Sequence, residues 1–461
     1  MYISNEFIKS IRNAELEIHC LNIKVWQDCD GGIALEGHGK IRQNKYGLLY
    51  VELVCTQFEV PRPTGPMQSF SRRFPSDSTN LETLVHAEFS TLSGDRFTSE
   101  GFTLILNELS IHSPFVVEFL LPYIQHDGLR ESATDEDLLY YEFREKIDIP
   151  KNHMNKSEST KGYESSSWDE SRIDNVLYNL MLRTEKDHTV AKVKGTFCGD
   201  SLIKCINFYV GFSSGRVPRP YIEIHSVGES KITRINSASN LDCQKRSSNP
   251  IPEIFSSNRK STETEYSYML FKNIYNLHCN SPDKLDAIIS QWERVWSGFS
   301  STSAISELVL SVAIEGVLND IFIPSFKVFE KDEKLESDIA LIKKSLDGLD
   351  IDSNYKGRLK GSVSYWKTIT ASKSLDILVN KGVIDKKYKK AWVELRNECA
   401  HPKSIAPNSA KEKEKLNNLL KCLDLFHRLV LNTVEYSGPV NIFGEDDESE
   451  IEIINHISVL K

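Results

Sequence analysis

The periodicity of apolar residues changes once along this 461-residue chain, and that change limits the folds open to it. Through roughly the first 260 residues, apolar and polar side chains alternate in short runs punctuated by Gly and Asn, the pattern of strands with one buried face. Through the last 200, apolar residues recur at i, i+3/i+4, the pattern of amphipathic helices. The expected fold class is α+β, a β-rich N-terminal region followed by a C-terminal α-helical bundle. Strands are expected at Ile33–Leu35, Ile41–Arg42, Tyr46–Val60, Thr103–Leu106, His112–Glu118, Ser201–Phe212 and Val217–His225. Pro61, Pro63 and Pro66 stop the third of these. Asp135–Lys146 reads as a short helix, the Ser/Lys/Glu-rich residues 151–168 as a mobile loop, and 226–265 as a polar connector. The expected domains are 1–260, 266–443 and an acidic tail, 444–461.

In the helical part, Ser303–Phe322 is long and apolar, Lys334–Leu349 is amphipathic, and Trp366–Leu378 leads to Gly382, which suits a helix C′ position. Asp385–Ala400 carries Tyr388, Ala391, Trp392, Leu395 and Cys399 on one stripe, and Glu414–Glu435 closes the set. Short loops between such segments predict a bundle. The stripe helix ends in Arg396, Asn397 and His401, followed by Pro402. On an unbroken helix, residues five apart point roughly 140° away from each other. Pro402 disfavours helical dihedrals at His401, so a terminal turn can bring the imidazole back towards Arg396 and Asn397. An imidazole serves as general acid or base near neutral pH. A guanidinium grips a phosphate and stabilises charge on its oxygens. Asn397 can donate to the same oxygens or orient the imidazole. The trio suits cleavage of a phosphodiester without a metal. An Arg-x4-His spacing also arises by chance, and a helix ending in polar residues before a proline is ordinary.

The order of an apolar helix with an internal acid, Gly-Val-Ile at 382–384, Trp392-x2-Leu-Arg-Asn-x3-His401, and a Leu-rich helix ending Glu435-Tyr-Ser-Gly438 resembles HEPN-domain ribonucleases of the abortive-infection type. It is most similar to the ApeA-like anti-phage proteins, over roughly residues 285–440. The resemblance implies a HEPN-like helical nuclease domain that dimerises or forms higher homo-oligomers and pairs two motifs across one RNA-cleaving cleft. It implies metal-independent cleavage with no cofactor, by attack of the ribose 2′-OH on its own phosphate. His401 would be the acid/base, Arg396 the charge stabiliser and Asn397 a positioning donor. Glu315 would orient Arg396; alternatively Glu307, Ser311, Glu315 and Asn319, every four residues, form a solvated stripe. Residues 1–260 would then sense a trigger or restrain the nuclease. A phage-derived trigger protein and tRNA or other host RNA as target follow from the resemblance alone.

Charge agrees with an RNA substrate. The chain is net −9, yet residues 351–440 hold 17 basic against 9 acidic side chains, leaving the rest at −17. Lys386, Lys387, Lys389 and Lys390 are candidate RNA contacts, or simply the solvated face of their helix; Lys403 suits a nearby phosphate or the helix dipole. The acidic run 445–450 reads as a solvated tail, with screening of the basic cleft as the less ordinary role. Nine unpatterned cysteines fit a reducing cytosol, and no Cys/His cluster predicts zinc. The start lacks a secretory pattern, and Pro114–Ile124, interrupted by Glu118, is too short to span a membrane. Gly211-x-Ser213-x-Gly215 lacks the helix that a nucleophile elbow needs after its serine. Cys399 belongs to the apolar stripe and no phosphate-binding Gly-Lys-Ser/Thr loop exists. The rival expectations are a non-catalytic helical domain that binds RNA or a partner, and a ligand-binding β-rich region whose helices only dimerise.

Overall fold

The computed structural model describes residues 5–59, 75, 77–104, 114–130, 136–144, 146–147, 149–158, 164–238, 249–252, 265–299, 303–329, 333–400, 410–443 and 449–459. The chain divides into two compact units, Met1–Ile203 with Pro218–Gln244, and Lys204–Val217 with Lys245–Lys461. A large antiparallel sheet occupies the first and helices dominate the second.

In chain order the first unit starts with α1 (Asn5–Arg12), β1 (Glu17–Gln27), β2 (Ala34–Gln43), β3 (Leu49–Glu59), β4 (Val85–Thr91), β5 (Arg96–Phe102), β6 (Phe115–Leu121) and β7 (Tyr123–Leu129). There follow β8 (Asp137–Phe143), β9 (His153–Glu158), β10 (Glu164–Asp174), β11 (Tyr178–Thr184), β12 (Thr189–Gly195), α2 (Gly199–Ser214), β13 (Pro220–Val227) and β14 (Ser230–Asn236). The strands form one 14-stranded sheet in the order β6-β3-β2-β1-β4-β5-β7-β14-β13-β8-β12-β11-β10-β9. Only Pro122 separates β6 from β7, so they are one bent strand and the first seven members return on themselves. The return closes between β5 and β7 at a single bridge, Thr98 to Gln125. Alternate residues of β1, Ile23 and Val25 among them, point into one core with Val51, Leu53, Phe89, Phe119 and Ile11 of α1. β2 carries a bulge at Glu36/Gly37, and a Cβ on Gly39 would lie 1.9 Å from the Glu52 carbonyl oxygen, so glycine lets β2 and β3 approach there.

Several expectations change here. Of residues 151–168, read as a mobile loop, His153–Glu158 form β9 and Glu164–Trp168 begin β10, the outer pair of the sheet, and 159–163 lie outside the described residues. Edge strands that meet water can be polar throughout, so their composition imitates a loop. Asp135–Lys146 is the strand β8, held between β12 and β13, rather than a helix. Ser201–Phe212 is the helix α2, whose Leu202, Cys205, Ile206, Tyr209 and Phe212 are fully buried; a continuous apolar run fits either element until its spacing is weighed. The polar connector begins later than expected, because β13 and β14 form a hairpin through Gly228 (φ 60) and Glu229. Thr103 and Leu104 follow β5 without regular structure, and residues 105–113 lie outside the described residues.

The second unit continues from α2 into α3 (Glu265–Asn280), α4 (Pro282–Gly298), α5 (Ser303–Val317), α6 (Ile323–Phe329), α7 (Glu333–Asp347), α8 (Ser353–Ser364), α9 (Ala371–Asn380), α10 (Lys386–Ala400) and α11 (Ala410–Thr433), then β15 (Gly438–Phe443) and β16 (Ser449–Ile454). A π turn, Leu318–Phe322, joins α5 to α6 immediately before Pro324, where a proline ring disturbs the α ladder. A 3-10 turn, Tyr365–Lys367, and a Thr370 cap interrupt the expected Trp366–Leu378 helix. The acidic tail is not merely solvated: β16 pairs with β15 and its Glu452 meets Arg428 of α11, while Ile451 and Ile453 stay exposed. Residues 444–448 lie outside the described residues. The run Ile305–Phe326 is long and apolar enough to cross a membrane, but half of it is buried inside the unit, where Leu310, Ile314, Val317 and Phe322 are core.

Candidate active site

The site is built on α10. Gly382 ends the preceding helix at φ 76, with its N–H on the Val379 carbonyl (3.0 Å) and that of Val383 on the Leu378 carbonyl (2.9 Å). Tyr388, Ala391, Trp392 and Leu395 are buried, as the spacing predicts. Burying this stripe stabilises the helix by roughly 1.5–3 kcal/mol per large side chain.

Two bonds tie α10 to α5. Trp392 Nε1 donates to the Ser311 carbonyl at 3.2 Å, and one turn further Arg396 Nη2 donates to Glu315 Oε1 at 3.0 Å. Each pair of anchors is spaced i, i+4, so the bonds stand one above the other. The guanidinium also lies over the Trp392 ring, 5.3 Å from its centroid. Arg396 is thus oriented by a carboxylate and an indole while its side chain stays 50% exposed. Asn397 is exposed on the same terminal turn. His401 and Lys403 lie outside the described residues, as does all of 401–409.

The stripe Glu307, Ser311, Glu315 and Asn319 is not solvated along its length. Ser311 is buried, and Glu307 is buried in an ion pair with Lys415 of α11, 2.6 Å away. Only Asn319 is fully exposed, and Glu315 is partly so. The reason is that α5 is covered on this side by α10 and α11.

The lysine run divides around its helix. Lys389 turns to Asp376 of α9 and is withdrawn from the solvated face. Lys386 is exposed. Lys387 and Lys390 line a groove of about 460 Å³ together with Lys413, Asn417 and Lys421 of α11, and with Glu394, which accepts from Asn418 Nδ2 at 3.0 Å. The basic residues of α11 escape a reading by motif, although Lys413, Asn417 and Lys421 recur every four residues. Four ammonium groups against Glu394 and Glu414 make the groove positive.

Other candidate groups are poor nucleophiles. Cys399 is half-buried and burial pushes its thiol up, the reverse of activation. Ser213 is buried in the last turn of α2, where no elbow can form. Among the described residues no three His, Cys, Asp or Glu side chains converge to hold a metal ion. Compared with family models, with curated proteins and with solved structures, the chain has no match.

Proposed function

We propose that the helical unit is a HEPN-like, metal-independent endoribonuclease acting in the cytoplasm in abortive-infection defence, with Arg396, Asn397 and His401 as its catalytic residues. The observation that carries the proposal is the double anchoring of Arg396 by Glu315 and Trp392, which orients the guanidinium while its side chain stays half exposed next to Asn397, four residues before His401 in sequence. In the reaction His401 takes the proton of the ribose 2′-OH as that oxygen attacks the adjacent phosphorus. The 5′-oxygen leaves with that proton, returned to it by His401, giving a 2′,3′-cyclic phosphate and a 5′-hydroxyl end. Arg396 stabilises the charge on the non-bridging oxygens and Asn397 holds one of them. The groove of Lys387, Lys390, Lys413 and Lys421 supports a polyanionic substrate, tRNA or another host RNA. Lys403 is proposed as a further phosphate contact.

The partner proposed for the helical unit is a second copy of this chain. Ile305, Leu308 and Val312 are each about half exposed, and their i, i+3, i+7 spacing leads straight to Glu315. They line a groove with Glu293 and Arg294, opposite charges that a twofold axis would pair across the interface. Two such chains would bring two Arg396 sites together. The β-rich unit is proposed to sense a phage-derived trigger and so restrain the nuclease until infection.

The test is cleavage of labelled tRNA and total RNA in EDTA, with and without lysate of phage-infected cells. The parent should leave cyclic phosphate ends, and His401→Ala and Arg396→Ala should each lose at least 100-fold in rate, roughly 2.7 kcal/mol of barrier. Cleavage by both variants at the parent's rate sinks the assignment. Binding of RNA by the parent without cleavage, triggered or not, favours the binding-module reading.

A further inference from the structure

α8 is a 12-residue helix with one buried side chain, Val363. Its other contacts are to α7: Lys360 pairs with Asp347, and Lys356 Nζ donates to the Asp347 carbonyl at 3.1 Å. Helices in water owe most of their stability to a packed apolar face, and α8 turns most of its surface outward. Tyr355 is 61% exposed, Tyr365 74% and Trp366 48%. Tyr355, Leu359 and Ser362 are spaced i, i+4, i+7, which sets them on one stripe roughly 10 Å long, and the 3-10 turn that carries Tyr365 and Trp366 continues from the end of the helix.

The end of that stripe is rigidly held. Thr368 N–H donates to the Tyr365 carbonyl at 2.9 Å. Lys373 Nζ donates to the carbonyls of Trp366 and Thr368 at 2.7 and 3.3 Å. The turn that presents the two rings is therefore braced by hydrogen bonds rather than by burial of the rings. In sequence no carboxylate lies between Asp352 and Asp376, and Lys356, Arg358 and Lys373 add positive charge beside Lys360, whose own charge is met by Asp347.

Outward aromatic rings interleaved with cations, against one carboxylate, Asp347, paired with Lys360, match a flexible polyanion that carries flat rings of its own. We propose that α8 and the Tyr365–Trp366 turn form a stacking platform for single-stranded RNA, apart from the elements that carry Arg396. Unstacked bases lie on the rings and phosphates face the neighbouring cations. A membrane surface fits less well, because it calls for apolar and basic residues on opposite faces; here Arg358 sits beside Tyr355 and Leu359, and glycines and serines thin the apolar area. The inference rests on RNA as the ligand class of the function proposed above, but not on cleavage.

The experiment is fluorescence anisotropy of the full chain with a labelled 2′-O-methyl oligouridylate, which lacks the attacking hydroxyl and cannot be cut by the proposed route. Removing rings in Tyr355→Ala/Tyr365→Ala/Trp366→Ala should weaken binding about tenfold per ring, within the range known for base stacking, with unchanged circular dichroism. The parent's tryptophan emission should fall on binding. Trp366→Phe should abolish most of that quenching while retaining affinity, and this comparison decides should the triple variant fail to fold. Equal affinity of parent and triple variant overturns the platform. So does quenching that survives Trp366→Phe, or capture of anionic vesicles in place of the oligonucleotide. Absence of oligonucleotide binding alongside cleavage of unmodified RNA overturns the platform and leaves the nuclease standing; binding without cleavage does the converse.

Discussion

Arg396 and Glu315 form a half-exposed ion pair, which contributes at most about 1 kcal/mol to stability. Its consequence is geometric: the guanidinium is aimed before any phosphate arrives. The α10 stripe is legible in the sequence because its spacing is local, whereas the Arg396–Glu315 contact bridges 81 positions and spacing alone leaves Glu315 open between two roles. A different carboxylate in the same unit gives a pH prediction. Asp424 is buried near Arg428, Lys387 and Glu452, accepts from the Phe443 N–H at 3.4 Å, and is pushed up by burial to about 7. The folded protein therefore holds its proton above the pH at which the unfolded chain releases it. That contribution is whole below about pH 4 and is lost as pH rises through 7. Asp424→Asn should remove the loss, so the variant should gain on the parent by a few kcal/mol between pH 4 and 8, since each tenfold change in proton affinity is worth roughly 1.4 kcal/mol. Urea midpoints across that range measure it; parallel curves refute it. His427, fully buried among Phe212, Trp292 and Phe426, is pushed down to about 3 by burial and has the opposite slope, losing stability as pH falls below 6.5.

At the scale of elements, helices are legible where one face is apolar, as in α5, α10 and α11. Strands escape where polar and charged residues predominate, as in β9, β10 and β16, while the mostly apolar run of α2 passes for a strand. α8 escapes because its few apolar residues, Tyr355, Leu359 and Val363, stand among glycines, serines and charges that read as a loop. Gly39 tests the sheet. An alanine Cβ there meets the Glu52 carbonyl oxygen at 1.9 Å, backbone that cannot turn aside, so β2 and β3 must part. Gly39→Ala should destabilise the β-rich unit by about 1–3 kcal/mol, the cost of overpacking. A lowered urea midpoint of a β-unit probe supports this; an unchanged midpoint shows that the strands are freer than their spacing implies.

For the whole molecule, the acidic remainder and the basic segment 351–440 give the chain a strongly divided charge, so RNA binding should weaken steeply with salt. Association should depend on the exposed face of α5. Leu308→Glu is expected to shift the chain from dimer to monomer in sedimentation velocity and to lower cleavage more than tenfold, while the unit keeps its fold because Leu308 is half exposed. A dimer that persists in Leu308→Glu would move the interface elsewhere. The α+β class is legible from periodicity; the 14-stranded order is not, since pairing of β6 with β3 and of β7 with β5 and β14 depends on residues far apart in sequence.

The bent strand of β6 and β7 has a kinetic consequence. β1, β2 and β3 can zip as successive neighbours, and so can β4 and β5, but β4 must find β1 past two strands, β3 waits for β6, and the closure at Thr98 and Gln125 waits for β7. Such pairings pay the entropy of a long loop before any contact rewards it, so assembly of this unit should be slow and its last step should be the joining of that seam. With one backbone bridge, helped at its ends by Tyr123 on Glu100 and His126 on Arg96, the seam is also where the finished sheet should breathe first, admitting solvent to the backbone of β5 ahead of its neighbours.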